Sequence, residues 1–381
     1  MTPIARIGDA VDAIDTPALV LDLDAMERNI ARMAAFARVH GVRWRPHAKM
    51  HKCAALAQRL VAAGAAGACV QKTAEAEALA AAGVQDLYIS NEVLAPAKLA
   101  RVAQLARTLQ QRGGRLAIAV DSDEGVDRLA AALAGAQSAI DVFVEIDVGQ
   151  GRCGLPPGPA AAQLAKRIAA VPALRFAGLQ AYHGKAQHLH SADDRRAAIA
   201  AVLLLVRDTL DAFAQVGLAV PLVTGAGTGS MLHEAASGIY GELQSGSFLF
   251  MDADYAGNDA EADQPVFEHA LFVKSQVMSR GPRHAVCDAG HKSHAIDSGL
   301  PVVHRPEGGL VWRYGNGGDE HGLLHADEGQ PLPELGQTVW LVPGHCDPTV
   351  NLHDMLVGVR GGLLQGRVEE LLRVDARGAL A

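Results

Sequence analysis

From about residue 40 to residue 250 the chain alternates short β-branched apolar runs with longer Ala- and Leu-rich stretches whose apolar positions recur every three or four residues. Strands separated by helices must cross over before they pair, so the alternation restricts the fold to repeated βα units around a parallel sheet. The strand-like runs are 42–47, 68–71, 87–90, 116–121, 140–147, 176–182, 222–224 and 242–247, with helical periods over 74–82, 96–111, 160–170 and 193–216. Eight runs match a closed (β/α)8, TIM-like barrel, an α/β fold. An open doubly wound sheet fits less well, because so many units follow one another and no GxGxxG follows the first strand.

After Tyr255 the texture changes to short alternating segments punctuated by Gly and Pro, at 270–278, 284–287, 338–342, 355–360 and 363–372. A β-rich C-terminal domain is expected over 265–381, behind a barrel over 25–264. The early run 18–22 is a ninth strand for an eight-stranded barrel, so the segment 1–24 is expected to join the C-terminal domain. Composition excludes several classes of function. With 34 Lys+Arg against 42 Asp+Glu and a net charge of −8, the chain lacks the basic face that binding to nucleic acid needs. Its apolar runs are broken well short of the roughly 20 residues a bilayer requires, so no membrane partner is expected. The first residues carry acids and no apolar core, unlike a signal peptide. Five scattered Cys read as reduced thiols of a cytoplasmic protein. The 16 His stand out and ask for a chemical use.

In a parallel barrel the reactive groups collect where strands end. Lys49, in RPHAK after the run 42–47, is either a surface lysine or an amine at the barrel mouth, where desolvation would lower its pKa and free it to attack a carbonyl. The loop Thr224-Gly225-Ala226-Gly227-Thr228-Gly229-Ser230 and the turn Gln244-Ser245-Gly246-Ser247 are either plain tight turns or amide-lined cradles for phosphate. Together with a mouth lysine they suggest pyridoxal 5'-phosphate bound as a Schiff base. Arg152, in GQGRCG, would offer its planar fork to a ring heteroatom of that cofactor, which atom being left open. His345 and Asp347, in PGHCDPT, lie two residues apart and project together from an extended segment; they form either a polar turn or two ligands of Mn²⁺, Mg²⁺ or Zn²⁺, completed by water or substrate. In QAYHGKAQH, Tyr182 would face the cofactor, His188 would be a general base, and His183 is expected to be structural.

Taken in order, DTPALVLDLDAMERNI, RPHAKMHK, CVQKTAEAEAL, ISNEV, VEIDVGQGRCG, GLQAYHG, TGAGTGS, ELQSGSFLFMDADY, DEHG and VPGHCDPTVNLHD resemble the metal-activated D-threonine aldolases, including the D-3-hydroxyaspartate aldolases, over nearly the whole chain. That resemblance implies the alanine racemase type of fold, a pyridoxal phosphate barrel followed by a β domain, and a homodimer. It implies that Lys49 carries the cofactor and that Gln71, Arg152, Tyr182, Thr224, Gly225, Gly227, Thr228, Gly229, Gln244, Gly246 and Ser247 hold it. It makes His345 and Asp347 metal ligands and His188 the base beside the substrate hydroxyl. His47, His51, His183, His321 and His353 fall in the same motifs as neighbours of the cofactor or the ligands. The chain departs from the pattern at Ala226, where many relatives have Gly, and in the acidic stretch 259–263. The implied reaction cleaves a D-3-hydroxy-α-amino acid, such as D-threonine, D-allo-threonine, D-3-hydroxyaspartate or D-phenylserine, to glycine and an aldehyde. A dehydratase of D-serine or D-threo-3-hydroxyaspartate is the nearest alternative, but related dehydratases carry Cys at the position of Asp347. A racemase would need a second base and no metal, and a non-catalytic pyridoxal phosphate-binding protein would need no C-terminal domain.

Overall fold

The computed structural model describes residues 4–135, 138–305 and 312–381; residues 1–3 of the N-terminal segment and 306–311 of the C-terminal region lie outside the described residues. The first strand, β1 (Ala18–Asp22), stands apart from the next eight: β2 (Arg43–Trp44), β3 (Ala68–Val70), β4 (Asp86–Ile89), β5 (Arg115–Val120), β6 (Ile140–Glu145), β7 (Leu174–Ala181), β8 (Val223–Gly225) and β9 (Glu242–Leu243). These eight are parallel, in the order 2-9-8-7-6-5-4-3. The gap between β2 and β3 is closed by the Cys69 amide, which donates to the Pro46 carbonyl at 2.9 Å. Eight helices accompany them: α1 (Leu23–His40), α2 (Ala54–Ala62), α3 (Thr73–Ala81), α4 (Pro96–Gln111), α5 (Asp123–Leu133), α6 (Pro159–Ala169), α7 (Ala192–Gln215) and α8 (Met231–Ala236).

The strands read as continuous apolar runs because both of their faces are buried. Leu87, Ile89, Leu116, Ile118, Val142 and Val144 point outward into a core shared with Leu99, Val102, Leu129 and Ile168 of the helices. The residues between them, Tyr88, Ala117, Ala119 and Phe143, fill the barrel interior with Cys69. The small alanines leave room for the Tyr88 and Phe143 rings, whose centroids lie 4.8 Å apart. One backbone approach demands a glycine: a Cβ at Gly178, where φ is +142°, would sit 1.8 Å from the Leu222 carbonyl oxygen. Two strands are shorter than the sequence suggests. The run at 42 is regular strand only to Trp44; beyond it the Arg45 and His47 amides still donate to the Leu243 and Gln244 carbonyls, at 2.8 and 3.2 Å, but Pro46 has no amide to give, and the chain turns into a 3-10 turn at Ala48–Met50. The run at 242 is regular strand only to Leu243, although the Gln244 amide still donates to the Gly225 carbonyl at 2.7 Å, and it ends in a second 3-10 turn, Ser247–Leu249.

The second sheet has nine strands: β1 with β10 (Leu271–Arg280), β11 (Ala285–Cys287), β12 (Val302–His304), β13 (Trp312–Asn316), β14 (Gly322–Ala326), β15 (Thr338–Val342), β16 (Met355–Arg360) and β17 (Arg367–Arg373). Its β1 pairs antiparallel with β10 and parallel with β16. Three of these strands, β12 to β14, are not among the expected ones; β13 alternates only over Trp312, Arg313 and Tyr314, too short a stretch to announce it. The expected strand 363–372 begins only at Arg367, because Gly361 and Gly362 adopt φ of +87° and +80° and open a helical turn, Gly362–Gln365. A single apolar cluster joins the two halves, with Leu19 and Leu21 of β1, Met26 and Met33 of α1, Trp44, Phe248 and Phe250 of the barrel, and Leu271, Leu341 and Leu356 of the second sheet. Among the described residues no helix is long and apolar enough to cross a membrane.

Candidate active site

That shared core brings the segment 343–347 over the C-terminal ends of the barrel strands. The Ala253 amide donates to the Pro343 carbonyl at 3.0 Å, the Asp254 amide to the Gly344 carbonyl at 3.3 Å, and the Cys346 amide to Asp252 Oδ2 at 3.0 Å. The same Asp252 caps the short helix Ala253–Ala256 by accepting from the Tyr255 amide at 3.0 Å. One buried carboxylate thus fixes both the segment carrying His345 and Asp347 and the helix carrying Asp254 and Tyr255.

Beneath lies a cavity of about 280 Å³ walled by His47, Lys49, Gln71, Ser90, Gln150, Arg152, Gln180, Tyr182, Lys185, His188, Ala226, Gly227, Thr228, Gln244, Gly246, Ser247 and Tyr255. The anticipated residues Lys49, Gln71, Arg152, Tyr182, His188, Gly227, Thr228, Gln244, Gly246 and Ser247 therefore line one cavity. Thr224, Gly225 and Gly229 do not reach it. Thr224 is fully buried, accepting from Gln244 Nε2 at 3.0 Å and donating to Glu242 Oε1 at 3.3 Å. Gly225 belongs to β8, and the Gly229 amide is spent on Gln187 Oε1 at 3.0 Å. The Gly227 and Thr228 amides donate to nothing among the described residues. Across from them a Cβ at Gly246 would lie 2.6 Å from the His47 carbonyl oxygen, so only glycine lets that wall close in. Ala226 adopts φ +67°, a left-handed conformation that costs a residue with a Cβ about 1–2 kcal/mol.

Lys49 departs from expectation in its charge. Desolvation should lower its pKa, but the Asp347 carboxylate, 3.3 Å from Nζ, outweighs burial and holds the ammonium above the ordinary lysine range. Asp347 Oδ2 also lies 3.8 Å from His345 Nε2, while its Oδ1 is buried without a partner. His345 Nδ1 contacts Asp297 Oδ2 at 2.7 Å. Burial disfavours a charge on this ring, yet the carboxylates of Asp347 and Asp297 prevail and raise it. A carboxylate only accepts, so the Nδ1 proton faces Asp297; a cation between Nε2 and Asp347 would take the Nε2 lone pair, with Asp297 then the carboxylate backer of a metal-binding histidine. An imidazole and a carboxylate facing one another in this way fit a divalent ion. Among the described residues no group of three His, Cys, Asp or Glu assembles, so such an ion would keep positions open for water or substrate.

Across the mouth, His188 Nδ1 lies 2.6 Å from Asp254 Oδ2, with His190 Nε2 3.8 Å from the other oxygen. Asp297 lies outside every motif of the sequence reading, 48 residues from its partner His345. Asp254 and Tyr255 fall within ELQSGSFLFMDADY, but nothing in that motif marks a role for either, and the Asp254 partner His188 is 66 residues away. Further down, burial pushes Glu145 up to about 8 beside Glu92, while Arg152, over the Tyr182 ring at 5.9 Å, opposes the rise. Burial likewise keeps His47 well below the usual histidine range, and its Nδ1 accepts from the Lys49 amide at 3.2 Å.

Comparison with known proteins places this architecture. Residues 21–254 match the family described as alanine racemase, N-terminal domain, and residues 270–359 match a putative serine dehydratase domain. The chain is 43% identical to a D-threonine aldolase from Arthrobacter sp. over 99% of this chain and 97% of that one. It is 45% identical to a 3-hydroxy-D-aspartate aldolase from Paracoccus denitrificans over 96% of this chain and 92% of that one. The crystal structure of a D-threonine aldolase from Filomicrobium marinum superposes with a TM-score of 0.94 at 46% identity, covering all of both chains. The barrel and β domain are thus those of the alanine racemase-like class. Within that class the chain belongs to the D-threonine aldolase and 3-hydroxy-D-aspartate aldolase family, and so to the carbon–carbon lyases.

Proposed function

We propose that the protein is a pyridoxal 5'-phosphate- and divalent metal-dependent aldolase that cleaves D-3-hydroxy-α-amino acids to glycine and an aldehyde. The observation that carries this reading is the contact of Lys49, on the cavity wall, with Asp347, itself beside His345, and the pairing of His188, on the same cavity, with Asp254. When bound, the cofactor supplies an aldehyde and an electron-withdrawing ring, and the ion, Mn²⁺ or Mg²⁺ and less fittingly Zn²⁺, acidifies a β-hydroxyl.

The chain's own residues divide the remaining work. Lys49 offers the amine. The Gly227 and Thr228 amides and the start of the Ser247–Leu249 turn offer phosphate donors, while Gln71, Tyr182, Gln244 and Gly246 shape the ring's slot and Arg152 meets its edge. His345 and Asp347 would hold the ion. His188 takes the hydroxyl proton at Nε2, because Nδ1 is engaged by Asp254, which fixes both tautomer and ring orientation. The free thiols support a cytoplasmic setting, and a homodimer follows the family expectation.

Two outcomes test the reading. With D-threonine the purified enzyme is expected to release glycine and acetaldehyde in equal amounts; 2-oxobutanoate and ammonia would instead establish a dehydratase. Asp254→Asn is expected to lower kcat about 10- to 100-fold while KM moves less than about threefold, because it perturbs the proton acceptor and leaves substrate contacts in place. Adding it to His188→Ala should cost nothing further, and full additivity of the two losses would separate Asp254 from the base.

A further inference from the structure

Two polar atoms buried at the domain joint have no hydrogen-bond partner among the described residues, Nε2 of His51 and Oδ1 of Asp347. His51 is 1% exposed and closes the 3-10 turn that carries Lys49. The short helix Cys346–Val350, which carries Asp347, packs against that turn, and the Asp347 charge acts on the His51 ring. The near nitrogen settles where the ring proton is. Nδ1 accepts the Cys53 amide proton at 3.0 Å and so holds a lone pair. A neutral ring, which this burial favours, then carries its one proton on Nε2. A buried donor and a buried acceptor therefore stand unmet on two elements in contact, each costly to leave so. The same tautomer rules out His51 as a third ligand. Freeing the Nε2 lone pair would move the proton to Nδ1, head-on against the Cys53 N–H.

We infer that His51 is a positioning residue for the ion proposed at His345 and Asp347: its Nε2–H serves Asp347 Oδ1, directly or through one bound water, and so aims Oδ2 at His345. The inference rests on the metal reading above. Both proposed ligands are then backed from behind, His345 by Asp297 of the β domain and Asp347 by His51 of the barrel. An oriented carboxylate loses less freedom when it takes up an ion, so affinity is the quantity His51 should move.

Two substitutions separate the two ends of the ring. Asparagine keeps an acceptor where Nδ1 stands and loses the distant donor; glutamine reaches the Nε2 position with an N–H and gives up the near acceptor. Mn²⁺ is titrated into metal-free, pyridoxal phosphate-loaded wild type, His51→Asn and His51→Gln, and free Mn²⁺ is read by its electron paramagnetic resonance signal. We expect Kd to rise about tenfold or more in His51→Asn and to stay within about threefold of wild type in His51→Gln. An unchanged Kd in His51→Asn, or a loss confined to His51→Gln, overturns the role of His51. No Mn²⁺ binding by wild type overturns the metal reading itself and this inference with it. If a variant does not fold, a crystal structure of the Mn²⁺-loaded wild type decides. Nε2 within hydrogen-bond distance of Oδ1, or of a water that bonds it, upholds the role, whereas Nε2 bonded to the ion or Oδ1 held by another donor overturns it.

Discussion

Lys49→Ala is expected to abolish the visible absorbance of the lysine–pyridoxal phosphate adduct and to slow D-threonine cleavage by at least about 10³-fold, since the covalent attachment and the amine that exchanges with substrate vanish together. Lys185→Ala is the control, because Lys185 is the other amine on the cavity wall. It should keep the absorbance. A band that persists unchanged without Lys49 would move the attachment elsewhere. The same substitution also leaves Asp347 without its cation at 3.3 Å, so folded stability should be compared at the same time.

The second large effect concerns the carboxylate itself. Exhaustive chelation is expected to stop cleavage, and added Mn²⁺ to restore it, in the wild type only; Asp347→Ala and His345→Ala should each lose at least about 10²-fold and resist rescue. In these variants the cofactor band should survive, which distinguishes loss of the ion from loss of the cofactor. Full activity after exhaustive chelation would refute the metal reading. Asp347 has a particular reason to be sensitive, as its Oδ2 faces both Lys49 Nζ and His345 Nε2.

Much of this was legible from the residues alone. The barrel strands announced themselves because burial on both faces leaves long apolar runs, as in 115–120 and 140–145. The residues of RPHAK, GQGRCG and PGHCDPT could be picked out because glycine, proline and charged groups at strand ends are chemically unusual. The backers could not. Asp254 and Asp297 become meaningful only when the fold carries them to His188 and His345, and a lone aspartate has no period or spacing to betray it. The charge of Lys49 was read in the wrong direction for the same reason. The sequence showed a desolvated amine, but the carboxylate beside it comes from almost 300 residues further along the chain. Within the small-residue loops, composition marked a phosphate cradle without saying which amides remain free, and Gly229 proved to be committed to Gln187.

The apolar cluster joining Trp44, Phe248 and Phe250 to Leu271, Leu341 and Leu356 makes the joint between the halves rigid rather than hinged. Its consequence lies in how new chemistry is acquired. On the proposed reading the barrel supplies the amine and the cradle, whereas the residues that decide what happens to a β-hydroxyl arrive on the 343–347 segment of the other half. A change of reaction can therefore be drafted in a short stretch of the β domain while the half that keeps the cofactor is left unrevised, provided the seam still delivers that stretch to the same place.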